Sequence, residues 1–140
     1  MFPKGLSVEA LNDLGKNTLV ENLGIEIVEA GTDYIKGTMP VDSRTKQPMG
    51  LLHGGASVAF AETLGSIAST LIIDISKKAP VGLEINANHI KSAKEGLVYG
   101  ICRPLHVGTR THVWEIRISN EQDQLVCVSR LTCSIIDQRN

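Results

Sequence analysis

One carboxylate stands out because of where it lies in the sequence. Glu62 is the only charged residue between His53 and Asp74, in a stretch built from apolar and small residues. A carboxylate in an apolar helix is costly unless it is paired, hydrogen-bonded or functional. Desolvation raises carboxylate pKa values, and carboxylates in clefts are often catalytic. We predict that Glu62 is a nucleophile or a general base; the alternative is a structural carboxylate held by a local donor.

Two glycines precede this carboxylate where a loop is predicted to become a helix. At a helix start the free backbone N–H groups and the positive end of the helix dipole point outward. Without a Cβ, Gly54 and Gly55 let the backbone approach a ligand closely. This arrangement suits a developing oxyanion on a carbonyl group. The alternative is that the glycines only permit a tight bend.

Three polar residues near these positions complete the candidate catalytic set. Ser66 lies four residues after Glu62, so both share a helix face, and its hydroxyl can bind the carboxylate or hold a water. The alternative for Ser66 is a small helix-packing residue. Gln47 and His53 flank the glycines, and either can donate to a carbonyl oxygen or orient the loop. A single histidine in a loop is more often structural.

The spacing of Gly54 and Glu62 has a consequence for assembly. Glu62 follows Gly54 by eight positions, which is roughly 12 Å along a helix. That distance is too long for both residues to touch one carbonyl group. If both act on a substrate, they come from different subunits, which predicts a dimer with its active site at the interface.

The elements that must position these residues follow from periodicity and turn residues. Helices are predicted over Val8 to Leu14, Thr18 to Leu23 and Gly54 to about Asp74, with a loop from Pro40 to His53. Strands are predicted over Leu23–Ala30, Tyr34–Met39, Val81–Ile90, Gly96–Leu105, Thr111–Ser119 and Leu125–Ile136. The pattern predicts one α+β domain over residues 1–140, an antiparallel sheet of about six strands around one long apolar helix. Such a sheet covers the helix well on one side only, so an exposed flank or sheet edge would call for a second subunit.

The bulk composition excludes several function classes. With a formal net charge of −1 over 140 residues, neither nucleic acid nor a membrane surface is an expected partner. The three cysteines, Cys102, Cys127 and Cys133, lack zinc-ligand spacing and are predicted to be reduced core residues. No metal or other cofactor is expected. The first residues lack a long apolar segment and Glu62 argues against a membrane span, so we expect a cytoplasmic protein.

Several sequence runs resemble one known family. The runs Met39–Asp42, Gln47–Ser57, Ala61–Ser66 and Val81–His89 resemble the hotdog-fold thioesterases of the phenylacetate-degradation type. The resemblance covers nearly the whole chain. It implies a hotdog fold, a homotetramer built from two dimers with shared sites, and no metal. The implied substrate is an acyl-CoA or acyl-carrier thioester with a dihydroxynaphthoyl-like, hydroxybenzoyl-like or medium-chain acyl group.

The resemblance also implies residue roles. Glu62 would attack the thioester carbonyl or activate water, with Ser66 beside it and the Gly54 N–H polarising the carbonyl. Gln47 and His53 would come from the partner subunit. His89 would lie near the thioester or acyl end, and the CoA nucleotide and pantetheine would lie near Lys91, Ser92, His106, Gly108 and Arg110.

Two positions depart from the family pattern. Met49 stands where an aromatic residue is common, which bears on the acyl pocket. Lys91 stands where arginine is common, and lysine lacks the bidentate phosphate contact of arginine.

Two other functions compete with hydrolysis. A hydratase or dehydratase acting on acyl thioesters usually needs a carboxylate and a histidine over the substrate. In this sequence no histidine follows Glu62 on its helix. The third possibility is a non-catalytic acyl-CoA-binding protein, in which Glu62 could be changed to Gln without loss of activity.

Overall fold

The computed structural model describes residues 1–139 and shows one antiparallel sheet packed against a long helix. Within these residues the sheet has six strands, in the order β1-β2-β4-β5-β6-β3. The strands are β1 Glu26–Ala30, β2 Ile35–Pro40, β3 Lys78–His89, β4 Leu97–Val107, β5 Thr111–Ser119 and β6 Leu125–Asp137. The predicted α+β architecture is therefore confirmed. The strands at the two sheet edges are β1 and β3.

Three helices carry side-chain caps at their starts. Helix α1 spans Val8–Asp13, α2 spans Leu19–Asn22 and α3 spans Gly54–Thr70. Their first turns are capped by Ser7, Thr18 and His53, which accept hydrogen bonds from backbone N–H groups two or three residues on. These caps satisfy donors that a helix start otherwise leaves free.

The core forms where one face of α3 meets the sheet. Phe60, Leu64 and Ala68 are fully buried on that face, against Trp114 and Leu131 from the strands. The opposite flank of α3 is only half-buried, at Ala59, Glu62, Thr63, Ser66 and Ile67. The expectation that the sheet covers one side of the helix is confirmed.

Several predicted bounds were wrong by a few residues. Helix α3 ends at Thr70 and not near Asp74, because the β-branched pair Ile72–Ile73 is a weak helix former and Asp74 caps a following turn by accepting the Ser76 N–H. Strand β1 begins at Glu26 and not Leu23, because Leu23 still caps α2.

Some strands extend further than predicted, because pairing with a neighbouring strand adds residues at their ends. Such pairing cannot be seen in the periodicity of one strand. Strand β3 starts at Lys78, three residues before the predicted Val81, since Lys78 pairs with Asp137 of β6. Strand β5 has the predicted bounds, and the turn after it closes with the Asn120 N–H donating to the Gln124 carbonyl at 3.0 Å.

The three cysteines are buried and unpaired, as predicted for core residues. Burial raises the pKa of each thiol, most strongly at Cys102. Within residues 1–139, no helix combines the length and the hydropathy needed to cross a bilayer.

Candidate active site

Glu62 lines a cavity of about 350 Å³ on the half-buried flank of α3. We call this space the flank cavity. Its walls come from α1, α2, β1 and α3, and Glu62 is its only charged lining residue among those described. The lining residues are Leu11, Asn12, Leu14, Gly15, Leu19, Val20, Ile25, Ile27, Ala59, Glu62, Thr63, Ser66 and Ile67. A mostly apolar concavity with a few polar groups, one of them a carboxylate, is the usual composition of a small-molecule site.

Ser66 lies beside Glu62 in the same cavity wall. Both residues line the flank cavity and both are half-buried, as their helical spacing predicts. The neighbouring Thr63 hydroxyl is occupied, because it donates to the Ala59 carbonyl at 2.7 Å. Glu62 and Ser66 are therefore the polar side chains of α3 in this cavity that have no hydrogen-bond partner among the described residues.

The Glu62 carboxylate lies directly over the backbone of β3 at Gly82. A Cβ added at Gly82 would overlap Glu62 Oε1. Pairing with β6 shifts register here, since Gly82 faces Cys133 while Glu84 faces Thr132, so the strand carries a bulge beside the carboxylate. Sequence reasoning missed Gly82, although a glycine inside a strand pattern is a known signal for close approach.

A second cavity of about 200 Å³ lies at the start of α3. We call it the helix-start cavity. It brings together five predicted site residues, Gln47, Gly54, His89, Lys91 and Ser92. The His89 ring lies against the Gly54 Cα, because a Cβ added at Gly54 would lie 2.9 Å from Nε2. This contact requires glycine at position 54.

The backbone donors at the start of α3 have different partners. The Gly55 N–H donates to His53 Nδ1 at 2.8 Å, so the neutral imidazole carries its proton on Nε2. Within the described residues the Gly54 N–H has no acceptor. His53 itself lies in a surface hollow with Arg44 and Thr45, and not in the helix-start cavity. Gly54 lines the helix-start cavity, and its N–H is the backbone donor there without a partner in the described residues.

Gln47 is oriented by its own loop. Its Oε1 accepts the Met49 N–H, while its backbone N–H donates to the Leu51 carbonyl at 2.8 Å. With the amide oxygen occupied, the amide NH₂ group is left to donate. Met49 is 80% exposed at the tip of this loop.

The remaining predicted residues lie at the turn between β4 and β5. The His106 ring covers Gly108, and the Gly108 N–H donates to the Thr111 carbonyl at 2.9 Å. Arg110 lines a separate polar hollow with Lys78. Thr111 and Val81 both pair with Ser134, so this turn lies about eight residue steps from His89, roughly 26 Å along β3.

The predicted site residues of one chain therefore lie in four separate places. Glu62 and Ser66 line the flank cavity, and five residues line the helix-start cavity. His53 lies outside both, and His106, Gly108 and Arg110 lie at the distant turn. Across residues 1–139, no three His, Cys, Asp or Glu side chains group in a way that would hold a metal ion.

Comparison with known families assigns the chain. The sequence profile of the thioesterase superfamily matches residues 49–127, which is more than half of the chain. The chain belongs to the thioesterase superfamily. The matched range includes every candidate site residue except Gln47, whereas α1, α2 and β1, which form much of the flank-cavity wall, lie outside it.

Full-length relatives agree with this assignment. The chain is 52% identical over 136 residues to the 1,4-dihydroxy-2-naphthoyl-CoA hydrolase of Escherichia coli, covering 97% of this chain and 99% of that protein. It is 47% identical over 136 residues to the proofreading thioesterase EntH of Cronobacter turicensis, covering 97% and 98% of the two chains. This member of the thioesterase superfamily is therefore a thioester hydrolase.

Solved structures confirm the hotdog fold. A mutant thioesterase from Pseudomonas aeruginosa superimposes with a TM-score of 0.95 at 43% identity, covering 98% of this chain and 99% of that chain. A thioesterase from Haemophilus influenzae superimposes with a TM-score of 0.92 at 48% identity, covering 97% and 94%. The central helix of this thioesterase and the strand carrying Gly82 thus belong to an architecture shared with known thioesterases.

Proposed function

We propose that this chain, acting as one domain, is an acyl-CoA thioesterase with Glu62 as its catalytic carboxylate. The observation that carries the proposal is the placement of Glu62 as the one charged lining residue of an apolar cavity of about 350 Å³. The substrate class is an acyl group that is dihydroxynaphthoyl-like, hydroxybenzoyl-like or of medium chain length. Relatives named for 1,4-dihydroxy-2-naphthoyl-CoA hydrolysis and for proofreading thioesterase activity support this class.

The start of α3 supplies the groups that would polarise the thioester carbonyl. The unoccupied Gly54 N–H and the positive end of a 17-residue helix suit the negative charge that develops on the carbonyl oxygen. The Gln47 amide NH₂, oriented by the contact of its oxygen with the Met49 N–H, is a second donor toward the same space. His89 lies against Gly54 and bounds the position of the thioester.

The chemistry then takes one of two balanced routes. In the first, Glu62 attacks the carbonyl carbon, the C–S bond breaks to release CoA thiolate, and water hydrolyses the resulting mixed anhydride. In the second, Glu62 removes a proton from a water that attacks the same carbon, again with CoA thiolate as the leaving group. Ser66, beside Glu62 in the cavity wall, would hold that water.

The division of the site residues between two cavities supports a homodimer with shared sites. Strand β3 is an edge strand of 12 residues, with Val81 41% and Leu83 70% exposed. A long unpaired edge is a template for pairing with another strand. Antiparallel pairing of β3 with its copy would bring the Gly82 region, and Glu62 over it, toward the His89 end of the partner strand.

The same pairing would reunite the groups assigned to the CoA nucleotide. Lys91 and Ser92 lie at the His89 end of β3, whereas His106, Gly108 and Arg110 lie near its Lys78 end. Two copies of β3 running in opposite directions would place the turn of one protomer near Lys91 of the other. Cations there suit the phosphates of CoA. The proposal extends to a homotetramer of two such dimers, located in the cytoplasm.

The test is hydrolysis of a thioester panel, followed by release of free thiol. The panel contains benzoyl-CoA, a hydroxynaphthoyl-CoA, hexanoyl-CoA, palmitoyl-CoA and an aryl-loaded carrier protein, each run with wild type and with Glu62→Gln. We expect aryl-CoA turnover that falls by about 10³-fold or more in kcat in the variant, because it keeps shape but removes charge and basicity. Glu26→Gln, an exposed change on β1, is the control and is expected to leave turnover unchanged.

Two outcomes would contradict the proposal. If wild type releases thiol from no panel member, the site serves the hydratase reaction or only binds acyl thioesters. If Glu62→Gln retains wild-type turnover, the carboxylate is structural. Mass spectrometry after a single turnover in H₂¹⁸O identifies the anhydride route when ¹⁸O appears in Glu62, because general-base attack by water puts the label only in the released acid.

A further inference from the structure

The side chain of Asn12 forms two hydrogen bonds with one backbone unit of β1. Its Nδ2 donates to the Ile27 carbonyl at 2.9 Å, and its Oδ1 accepts the Ile27 N–H at 2.7 Å. We call this pair of bonds the Asn12 latch. Both hydrogen-bonding sides of the amide are engaged, so the latch fixes the direction of the side chain as well as its distance.

The latch works because Ile27 lies in an edge strand. Strand β1 pairs only with β2 among the described strands, so alternate backbone groups of β1 point away from the sheet. The Asn12 amide occupies the place of a neighbouring strand and satisfies the N–H and carbonyl groups of Ile27. It therefore attaches α1, which carries Asn12, to β1 at one defined position.

This attachment matters because α1 cannot hold its own position. The helix has six residues, far below the length at which an isolated helix is stable in water. Its buried residue is Leu11, and apolar contact of this kind has little directionality. The latch supplies the directional bonds between α1 and the strand.

Helix α1 forms part of the flank-cavity wall outside α3, together with α2 and β1. Leu11, Asn12 and Leu14 come from α1 or its end, Ile27 comes from β1, and Glu62 lies on α3. The position of α1 therefore determines how much space lies beside Glu62. Since the Asn12 amide oxygen and one of its N–H groups are already bound to Ile27, this wall offers an acyl group mainly apolar contact, from Leu11, Leu14 and Ile27.

We infer that Asn12 is a positioning residue that sets which acyl groups the enzyme accepts, an inference that rests on the proposed thioesterase function. With the latch in place, the flank cavity has a volume of about 350 Å³ and α1 forms one of its walls, which favours a compact acyl group. Without the latch, α1 moves outward, and the cavity admits longer or bulkier acyl chains while Glu62 keeps its position over Gly82.

The experiment compares Asn12→Ala and Asn12→Leu with wild type. Both variants remove the two hydrogen bonds, but leucine keeps the branched shape and the four side-chain heavy atoms of asparagine. Asn22→Ala, an exposed change in α2, is the matched control. For each protein, kcat and KM are measured with benzoyl-CoA, hexanoyl-CoA and dodecanoyl-CoA.

We expect the ratio of kcat/KM for dodecanoyl-CoA to that for benzoyl-CoA to rise at least tenfold in both Asn12 variants. The change should lie mainly in KM, because Glu62 is not displaced. Asn22→Ala should keep the wild-type ratio. If Asn12→Leu keeps the wild-type ratio, side-chain shape and not the latch sets acceptance, and the inference is wrong. An equal fall in kcat/KM for all three substrates in both variants would show a general structural role and would also overturn it.

Amide hydrogen exchange tests the latch without reference to activity. The Ile27 amide and the α1 amides should exchange at least tenfold faster in both Asn12 variants, with the α3 amides unchanged. Failure of wild type to hydrolyse any thioester would remove the proposed function, whereas this exchange result would still report on the latch. Unchanged exchange at Ile27 would overturn the latch itself.

Discussion

The two edge strands of the sheet differ in whether their outward backbone groups have partners. Strand β1 has five residues, and the outward backbone groups of Ile27 are bound by the Asn12 side chain. Strand β3 has 12 residues, exposes Val81 and Leu83, and has no element of residues 1–139 along its outer side. One edge is closed by the chain itself, whereas the other is left open.

The difference shows how one sheet can support two tasks. On the short β1 edge, the amide of Asn12 is enough to bind the outward backbone groups of Ile27. The short helix that carries Asn12 then forms part of the cavity wall beside Glu62. The long β3 edge leaves a longer row of backbone groups unpaired and exposes Val81 and Leu83 beside them. The β1 edge therefore shapes the cavity, and we expect the β3 edge to mediate assembly.

The largest effect should come from placing a charge on the open edge. In Leu83→Lys, the ammonium would have to be buried between two copies of β3, so we expect monomers by light scattering after gel filtration. The value of kcat/KM should fall by at least about 100-fold, because each site would lose the partner's half. The same change on the closed edge, Val28→Lys, should leave both assembly and kcat/KM within about twofold of wild type, since Val28 is already 48% exposed. A fully active Leu83→Lys monomer would show that one protomer contains a complete site.

A somewhat smaller effect is expected inside β3 at its bulge. In Gly82→Ala the new methyl group would overlap Glu62 Oε1 and displace the carboxylate by about 1 Å, which should lower kcat about 100-fold with KM nearly unchanged. Glu84→Ala, two residues further along the same edge, controls for loss of assembly. Gly82→Ala with wild-type kcat would place the working position of Glu62 away from β3.

The two edges also mark what the sequence could and could not predict. Glu62, Ser66 and Gly54 were predicted as site residues because each breaks a local pattern: a charge in an apolar helix, a polar residue on its face, a glycine at its start. The contact of Gly82 with the Glu62 carboxylate depends on which strand lies beside Glu62. The order of strands in the sheet determines this, and local sequence patterns do not show that order. The Asn12 latch joins residues 15 positions apart through backbone groups, so side-chain periodicity carries no trace of it.

The middle of the sheet, between the two edges, contains a buried histidine whose protonation makes the stability of the fold depend on pH. His112 on β5 is 2% exposed, and its Nδ1 lies 3.0 Å from Ser69 Oγ, which also accepts the Trp114 Nε1–H at 2.8 Å. Burial lowers the pKa of His112, and the nearby His106 lowers it further, while hydrogen bonding to the Gly108 backbone acts in the opposite direction.

This shift predicts acid sensitivity of the fold. The unfolded chain binds a proton at His112 near pH 6.5, whereas the folded chain binds it only at lower pH. The contribution of His112 to the free energy of unfolding is therefore fully present above pH 6.5. It decreases as the pH falls below 6.5, because protons then bind preferentially to the unfolded chain. Urea unfolding between pH 7.5 and pH 5 should show this decrease in the free energy of unfolding for wild type. The His112→Asn variant should be less stable at pH 7.5 and should show a smaller decrease. An identical slope in both proteins would mean that His112 does not contribute. A Leu83→Lys monomer should keep the wild-type slope, because the group lies away from the open edge.

The smallest effect concerns the closed edge and separates the latch from the helix that carries it. Ser7 caps α1 by accepting the Ala10 N–H at 3.2 Å, and Ser7→Ala should cost about 0.5–1 kcal/mol of local helix stability. Exchange of the Ala10 and Leu11 amides should then accelerate about two- to fivefold, with Ser43→Ala, an exposed loop change, as the control. Because Asn12 would still bind Ile27, acyl selectivity should shift by less than threefold. A shift as large as that of Asn12→Ala would mean that the intrinsic stability of α1, and not its attachment to the sheet edge, controls the wall beside Glu62.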